Sequence, residues 1–77
     1  MKVTLYTKQD CGLCDEAERV LRNYQRSIGF DLEIIDIEGE EAAYRSYWAR
    51  VPVVLADGKE VAEAPIDEAR LKAVLTA

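Results

Sequence analysis

The alternation of hydrophobic and polar positions predicts two strands with one long helix between them. Residues 3–6 are β-branched and aromatic and run into a polar stretch, which predicts a strand that ends in a loop. From residue 11 the apolar positions recur at helical spacing, and Gly29 ends the helix. The apolar stripe consists of Cys14, Ala17, Leu21, Tyr24 and Ile28. Residues 31–38 alternate and predict a second strand, parallel to the first because a helix joins the two.

Residues 40–50 predict a short second helix with several aromatic side chains. The helix ends before Pro52, because a residue that precedes proline is disfavoured in the α conformation. Aromatic residues at helical spacing usually belong to a core. The aromatic residues that we expect in the core are Tyr6, Tyr44, Tyr47 and Trp48.

The last third of the chain predicts a hairpin and a final helix. Residues 53–55 and 60–63 flank an Asp-Gly turn, which is a strong hairpin signal. Asp67 is placed to cap the final helix, with Ile66 and Leu71 as a hydrophobic staple. The order is therefore β-α-β-(α)-β-β-α. It predicts an α/β sandwich with one mixed sheet of about four strands and helices on both faces.

Size and charge narrow the class of protein. At 77 residues the chain predicts a single domain over residues 1–77. Its net charge is −5 with no basic cluster, which argues against binding nucleic acid. No apolar run approaches the roughly 18 residues of a membrane span, and the chain enters a strand pattern without a signal peptide. We therefore expect a cytoplasmic protein that does not bind membranes.

The candidate chemistry lies in Cys11-Gly12-Leu13-Cys14, which holds the only two cysteines. Helical residues three apart have Cβ atoms roughly 5 to 6 Å apart, so a disulfide with Cβ atoms about 3.8 Å apart needs only slight adjustment. So short a loop gains little stability from a crosslink. A Cys-x-x-Cys near a β-α-β pattern indicates redox chemistry, although two buried structural cysteines would give the same spacing. Cys11 precedes the helix, where free N–H groups and the helix dipole stabilise a thiolate.

With this pattern, the sequence resembles the glutaredoxins of the thioredoxin fold over essentially its whole length, and more narrowly the short bacterial glutaredoxin-like proteins. The resemblance is carried by residues 5–14 (Leu-Tyr-Thr-Lys-Gln-Asp-Cys-Gly-Leu-Cys) and 50–54 (Arg-Val-Pro-Val-Val). It implies that Cys11 is the nucleophile and Cys14 the resolving cysteine.

The resemblance also implies substrate-binding residues. Pro52 corresponds to the family's cis-proline, the Val51 backbone would pair with a bound thiol substrate, and Lys8 would contact the glycyl carboxylate of glutathione. Typical glutaredoxins carry Gly-Gly and a polar cap for the γ-glutamyl group, where this chain has Ala62-Glu63-Ala64-Pro65-Ile66-Asp67. Asp67 is the one residue there that can take the cap's role. A lysine at the position of Lys8 is most often a solvated loop residue, and an aspartate at that of Asp67 is more often a helix cap than a ligand group.

The sequence thus predicts a monomeric thiol–disulfide oxidoreductase that reduces protein or low-molecular-weight disulfides. We expect no metal and no tightly bound cofactor, with glutathione as a candidate co-substrate. Two alternatives remain. One is a thioredoxin-fold binding module without turnover. The other is a metal or iron–sulfur module, which needs a dimer or carboxylates because one chain offers two thiolates and no histidine.

Overall fold

The computed structural model describes all 77 residues as one four-stranded sheet with helices packed on it. The strands are β1 (Lys2–Thr7), β2 (Asp31–Asp36), β3 (Val53–Ala56) and β4 (Lys59–Glu63). The helices are α1 (Gly12–Ile28), α2 (Glu41–Tyr47) and α3 (Glu68–Thr76), with a 3₁₀ turn at Ile37–Gly39. The strand order is β2-β1-β3-β4. β1 is parallel to β2 and antiparallel to β3, and β3 is antiparallel to β4, which confirms the predicted mixed sheet.

The main core lies between the sheet and the helices α1 and α3. Alternate residues of β1 point to this side, so Val3 and Leu5 are fully buried. The buried residues that complete this core are Ala17, Val20, Leu21, Phe30, Val54, Leu71 and Leu75. The stripe predicted for α1 therefore faces the sheet as expected.

The opposite face of the sheet is covered by α2, so helices lie on both faces as predicted. The ring of Tyr6 stacks on Tyr47 with 4.5 Å between centroids. Tyr44 and Trp48 are 48% and 58% exposed, so the prediction that they belong to the core is wrong. Because α2 has only seven residues, Ala43 and Tyr47 suffice to cover the sheet, and the neighbouring stripe of Tyr44 and Trp48 faces solvent.

β2 is shorter than its alternating pattern predicts. The strand ends at Asp36, and Ile37–Gly39 forms a 3₁₀ turn. The Asp36 side chain accepts a hydrogen bond of 2.9 Å from the Glu38 N–H. An aspartate that bonds the backbone two residues ahead competes with the strand ladder, which explains the early end. The turn buries Ile37 beside the first helix.

The predicted end of α1, start of α3 and hairpin turn are observed, whereas α2 ends at Tyr47, three residues before the predicted end at residue 50. Gly29 ends α1 with a φ of 84°, and its N–H donates to the Gln25 carbonyl. Asp57 and Gly58 both have positive φ, as a two-residue hairpin turn requires. Asp67 is the N-cap of α3. None of the helices combines the length and apolar character needed to cross a membrane.

Candidate functional site

The end of β1 and the start of α1 place Cys11 at the mouth of the helix. Cys11 is the N-cap of α1, with extended backbone angles, and its sulfur accepts a hydrogen bond of 3.2 Å from the Cys14 N–H. Asp10 just before it has a φ of 54°, a left-handed conformation that turns the chain into the helix. The sulfur of Cys11 thus lies against the free N–H groups of the first turn, which favour negative charge.

The two cysteines differ in exposure. Cys14 is fully buried and packs with Ile37 and Val51, whereas Cys11 is half-buried. Their sulfur atoms lie near disulfide distance, and their Cα atoms are 5.2 Å apart, within the usual range for a disulfide. A partner approaching from solvent therefore meets Cys11 first.

The Val51–Pro52 segment lies beside the cysteines, and its peptide bond is cis. Both residues are buried. The Val51 N–H donates a hydrogen bond of 3.1 Å to the Tyr47 carbonyl, which ends α2. The sequence predicts that the Val51 backbone pairs with substrate. In this arrangement its N–H is already used, so the carbonyl is the group left for a substrate amide.

Lys8 lies in the exposed loop that leads to Cys11 and forms no salt bridge. It borders an open cavity of about 330 Å³. The residues that line this cavity are Lys8, Gln9, Asp10, Glu38, Tyr44 and Trp48. We call it the Trp48 cavity. The sequence analysis assigned the two aromatic residues of this cavity, Tyr44 and Trp48, to the core. Their helical spacing was the only signal in the sequence, and it does not show which side of a short helix faces solvent.

Asp67 is the N-cap of α3. Its carboxylate accepts a hydrogen bond of 3.2 Å from the Arg70 N–H, as a helix cap. It borders a second cavity, between β4 and α3, whose lining contains neither cysteine. The Asp67 carboxylate thus caps α3, and its neighbours Ile66 and Glu68 line a depression together with Leu13 of the cysteine motif.

A third depression, which we call the Leu13 groove, lies on the α1 side of the cysteine motif. Its volume is about 220 Å³. It is lined by Leu13, Glu16, Ala17, Val20, Pro65, Ile66 and Glu68. Leu13 is 59% exposed although its neighbour Cys14 is fully buried. The sequence analysis named Leu13 only as a member of the cysteine motif.

Arg50 forms two salt bridges and a cation–π contact next to Val51. Its guanidinium bonds Glu60 at 3.0 Å and Glu63 at 3.2 Å, and lies 5.2 Å from the Tyr47 ring centroid. Burial of the Tyr47 hydroxyl, with smaller contributions from Glu60 and Tyr6, raises its pKa, and Arg50 opposes that rise. The cation nearest in sequence to Val51 is thus already paired.

The side chains that could bind a metal are scattered. No group of three or more cysteine, aspartate or glutamate side chains is gathered in a geometry that could hold a metal ion. The metal-binding alternative therefore depends on ligands from a second copy of the chain.

Comparison with known families gives a match over nearly the whole chain. The family described as Glutaredoxin-like domain (DUF836) matches residues 2–76. An uncharacterized protein of Mycobacterium tuberculosis is 32% identical, over 94% of this chain and 79% of its own length. The glutaredoxin-like protein NrdH of Escherichia coli is 35% identical, over 73% of this chain and 69% of its own length.

Solved structures agree with this match. Protein Ne2328 of Nitrosomonas europaea is 36% identical with a TM-score of 0.79, covering 95% of this chain and 88% of its own. Protein XcR50 of X. campestris is 33% identical with a TM-score of 0.79, covering 96% and 95% of the two chains. Thioredoxin 1 of Thermosipho africanus is 16% identical with a TM-score of 0.67, covering 99% of this chain and 96% of its own, a similarity of fold alone.

Proposed function

The chain belongs to the glutaredoxin-like domain (DUF836) family, and on that premise we propose that it is a thiol–disulfide oxidoreductase in which Cys11 attacks and Cys14 resolves. The observation that carries the proposal is the unequal exposure of two sulfur atoms that lie near bonding distance. Cys11 is half-buried at the helix N-terminus and Cys14 fully buried one turn later. The name of the Escherichia coli relative, a glutaredoxin-like protein, is in line with this class of activity.

The proposed reaction has two exchange steps. First, the Cys11 thiolate attacks one sulfur of a substrate disulfide, forms a mixed disulfide and releases the other substrate sulfur as a thiolate. Cys14 then loses its proton to solvent or to the departing thiolate and attacks the Cys11 sulfur. The Cys11–Cys14 disulfide forms, and the second substrate thiolate leaves. The substrate gains two electrons, and the cysteine pair loses two.

The chain's own residues support each step. The first-turn N–H groups, including that of Cys14 at 3.2 Å, stabilise negative charge on the Cys11 sulfur. Burial of Cys14 favours its neutral thiol until the mixed disulfide brings a target within reach. Both cysteines belong to one chain, so we propose that the monomer is the catalytic unit, with no metal or tightly bound cofactor. A reducing compartment such as the cytoplasm would return the pair to its dithiol form.

The two cysteine variants test the proposal. Cys11→Ser is expected to abolish reduction of a disulfide substrate in assays coupled to glutathione and glutathione reductase or to thioredoxin reductase. Cys14→Ser is expected to stop after the first step and accumulate a mixed disulfide on Cys11, visible as a mass increase that dithiothreitol reverses. Disulfide reduction by Cys11→Ser at the wild-type rate would show that the cysteine pair is not the catalytic centre.

We also propose that Lys8 interacts with an anionic group when the substrate is glutathione disulfide. An exposed ion pair contributes about 0.2–1 kcal/mol, so Lys8→Ala is expected to raise KM by a factor of about 1.4 to 5 with little change in kcat. Lys59→Ala is the matched control, because this exposed lysine lies at the β3–β4 turn and lines none of the three depressions described. Equal effects of the two substitutions would assign Lys8 no specific contact.

A further inference from the structure

We infer that the site prefers the disulfide of a cationic protein segment that bears an aliphatic side chain over the disulfide of glutathione. The inference deepens the proposed function and rests on it. Its basis is the surface on either side of Cys11, formed by the Leu13 groove and the Trp48 cavity.

The Leu13 groove offers an aliphatic binding surface next to the attacking sulfur. Leu13, Ala17, Val20, Pro65 and Ile66 form its apolar part. Its volume of about 220 Å³ is several times the roughly 30 Å³ share of one water molecule in the liquid, so an aliphatic side chain fits. A peptide residue adjacent to the substrate cysteine would reach it, because Leu13 lies inside the cysteine motif.

Few large apolar side chains are exposed on the protein as a whole. The exposed large hydrophobic residues are Met1, Leu13, Tyr44 and Trp48. Leu13 lies in the cysteine motif, while Tyr44 and Trp48 line the cavity shared with the loop that leads to Cys11. Exposed tryptophan and tyrosine are enriched where proteins bind other proteins. A partner larger than glutathione would cover both depressions at once.

The charges around the two depressions favour a cation. Lys8 is the only basic residue among their linings, against the carboxylates of Asp10, Glu16, Glu38 and Glu68. Glu16 is paired with Arg19 at 3.2 Å, whereas the other three carboxylates form no ion pair. Glu68 accepts a hydrogen bond from the Tyr24 hydroxyl at 3.4 Å. Glutathione disulfide has more carboxylates than ammonium groups and is repelled by such a surface.

In the segment between β4 and α3, the Ala64 N–H already donates to the Arg50 carbonyl at 3.4 Å. Pro65 has no N–H to donate. The Asp67 side chain is occupied in capping α3 through the Arg70 N–H. Pro65 and Ile66 instead provide apolar wall to the Leu13 groove. The segment that binds glutathione in typical glutaredoxins is therefore suited here to contact an aliphatic side chain.

The test uses the reduced protein and three disulfide probes. The first is a symmetric peptide disulfide with leucine and arginine next to each cysteine, the second is the same peptide with serine and glutamate there, and the third is oxidised glutathione. Second-order rate constants are measured in single-turnover reactions. We expect the leucine–arginine peptide to react at least about tenfold faster than either other probe. Added salt should slow this peptide and speed the glutamate peptide, since it screens both attraction and repulsion.

Matched variants show which residues cause the preference for the first peptide. Leu13→Ser is expected to lower the rate ratio of the first peptide to the second about tenfold, while Leu13→Met, which keeps volume and apolarity, retains it. Glu68→Gln should lower the ratio about threefold and weaken its salt dependence. Glu33→Gln is the control for Glu68→Gln, because Glu33 of β2 pairs with Lys2 of β1 and lines neither depression.

The outcomes separate this inference from the proposed function. If the wild-type protein reduces none of the probes, the proposed function fails and the inference fails with it. If it reduces all three at similar rates, or reduces glutathione disulfide fastest, the oxidoreductase proposal stands and the inference is overturned. A preference for the first peptide that Leu13→Ser and Glu68→Gln leave unchanged would likewise overturn it.

Discussion

The sequence left two roles open for Asp67, helix cap or substrate-binding residue, and substitutions can distinguish them. The carboxylate caps α3 through a hydrogen bond of 3.2 Å from the Arg70 N–H, and it is exposed. Replacement by alanine removes the acceptor and leaves one N–H of the first turn without a protein partner. Replacement by asparagine keeps an oxygen acceptor and removes only the charge. A cap role predicts that alanine destabilises the fold and asparagine does not.

The expected magnitude follows from the position of α3. An N-cap aspartate replaced by alanine costs typically about 1 kcal/mol, within a range of about 0.5–2. The helix contributes two almost fully buried side chains to the main core, Leu71 and Leu75. Fraying of its first turn therefore loosens packing as well as the cap, so we expect about 1 kcal/mol for Asp67→Ala. For a domain of this size, that corresponds to a fall in Tm of about 4–8 °C. Asp67→Asn should cost less than about 0.5 kcal/mol.

Urea unfolding followed by far-ultraviolet circular dichroism gives the two free energies, and thermal unfolding gives the two Tm values. Asp31→Ala is the control, because this aspartate is exposed and its side chain has no hydrogen bond or salt bridge within the chain. It is expected to change stability by no more than about 0.5 kcal/mol. The KM for glutathione disulfide is measured on the same samples.

Two results would refute the reasoning. Wild-type stability of Asp67→Ala would show that the cap contributes nothing. Wild-type stability of Asp67→Asn combined with a large rise in KM for glutathione disulfide would show that the carboxylate binds the thiol substrate through its charge.

Three further predictions concern exposure, packing and pH. Trp48 should show the red-shifted fluorescence of an exposed indole and be quenched readily by acrylamide, whereas blue-shifted, protected emission would contradict its position. Leu71→Ala should cost about 2–5 kcal/mol in urea unfolding and Leu13→Ala less than about 0.5, and equal costs would refute the assigned burial. Burial raises the pKa of Tyr47 above its ordinary value of 10.0, so the stability that this residue contributes is present below pH 10 and is lost as pH rises through the folded pKa. Tyr47→Phe should therefore flatten the alkaline fall in stability, and an unchanged pH profile would contradict this.

The sequence by itself determined the features that depend on nearby residues. The change of hydrophobic periodicity at residue 11 predicted the strand before the cysteines and the helix that starts at them. The Asp-Gly turn predicted the hairpin, and Asp67 predicted the start of the last helix. These signals come from interactions within about four residues along the chain, which sequence spacing records directly. The mixed sheet followed from the order of the elements, because a helical crossover makes its two strands parallel.

Only the tertiary structure decided which side chains face solvent and which backbone groups remain free. Helical spacing places Tyr44 and Trp48 on one stripe but cannot say whether a sheet lies beneath it, and here Ala43 and Tyr47 contact the sheet instead. The sequence could not say which Val51 backbone group is free, and the end of α2 brings the Tyr47 carbonyl to its N–H.

The Leu13 groove likewise exists only because the segment before α3 returns to the first turns of α1, from positions about fifty residues away. Exposure and free hydrogen-bonding groups are set by contacts between distant segments. For that reason the cysteine pair could be found in the sequence, whereas the surface that we propose selects its partner required the fold.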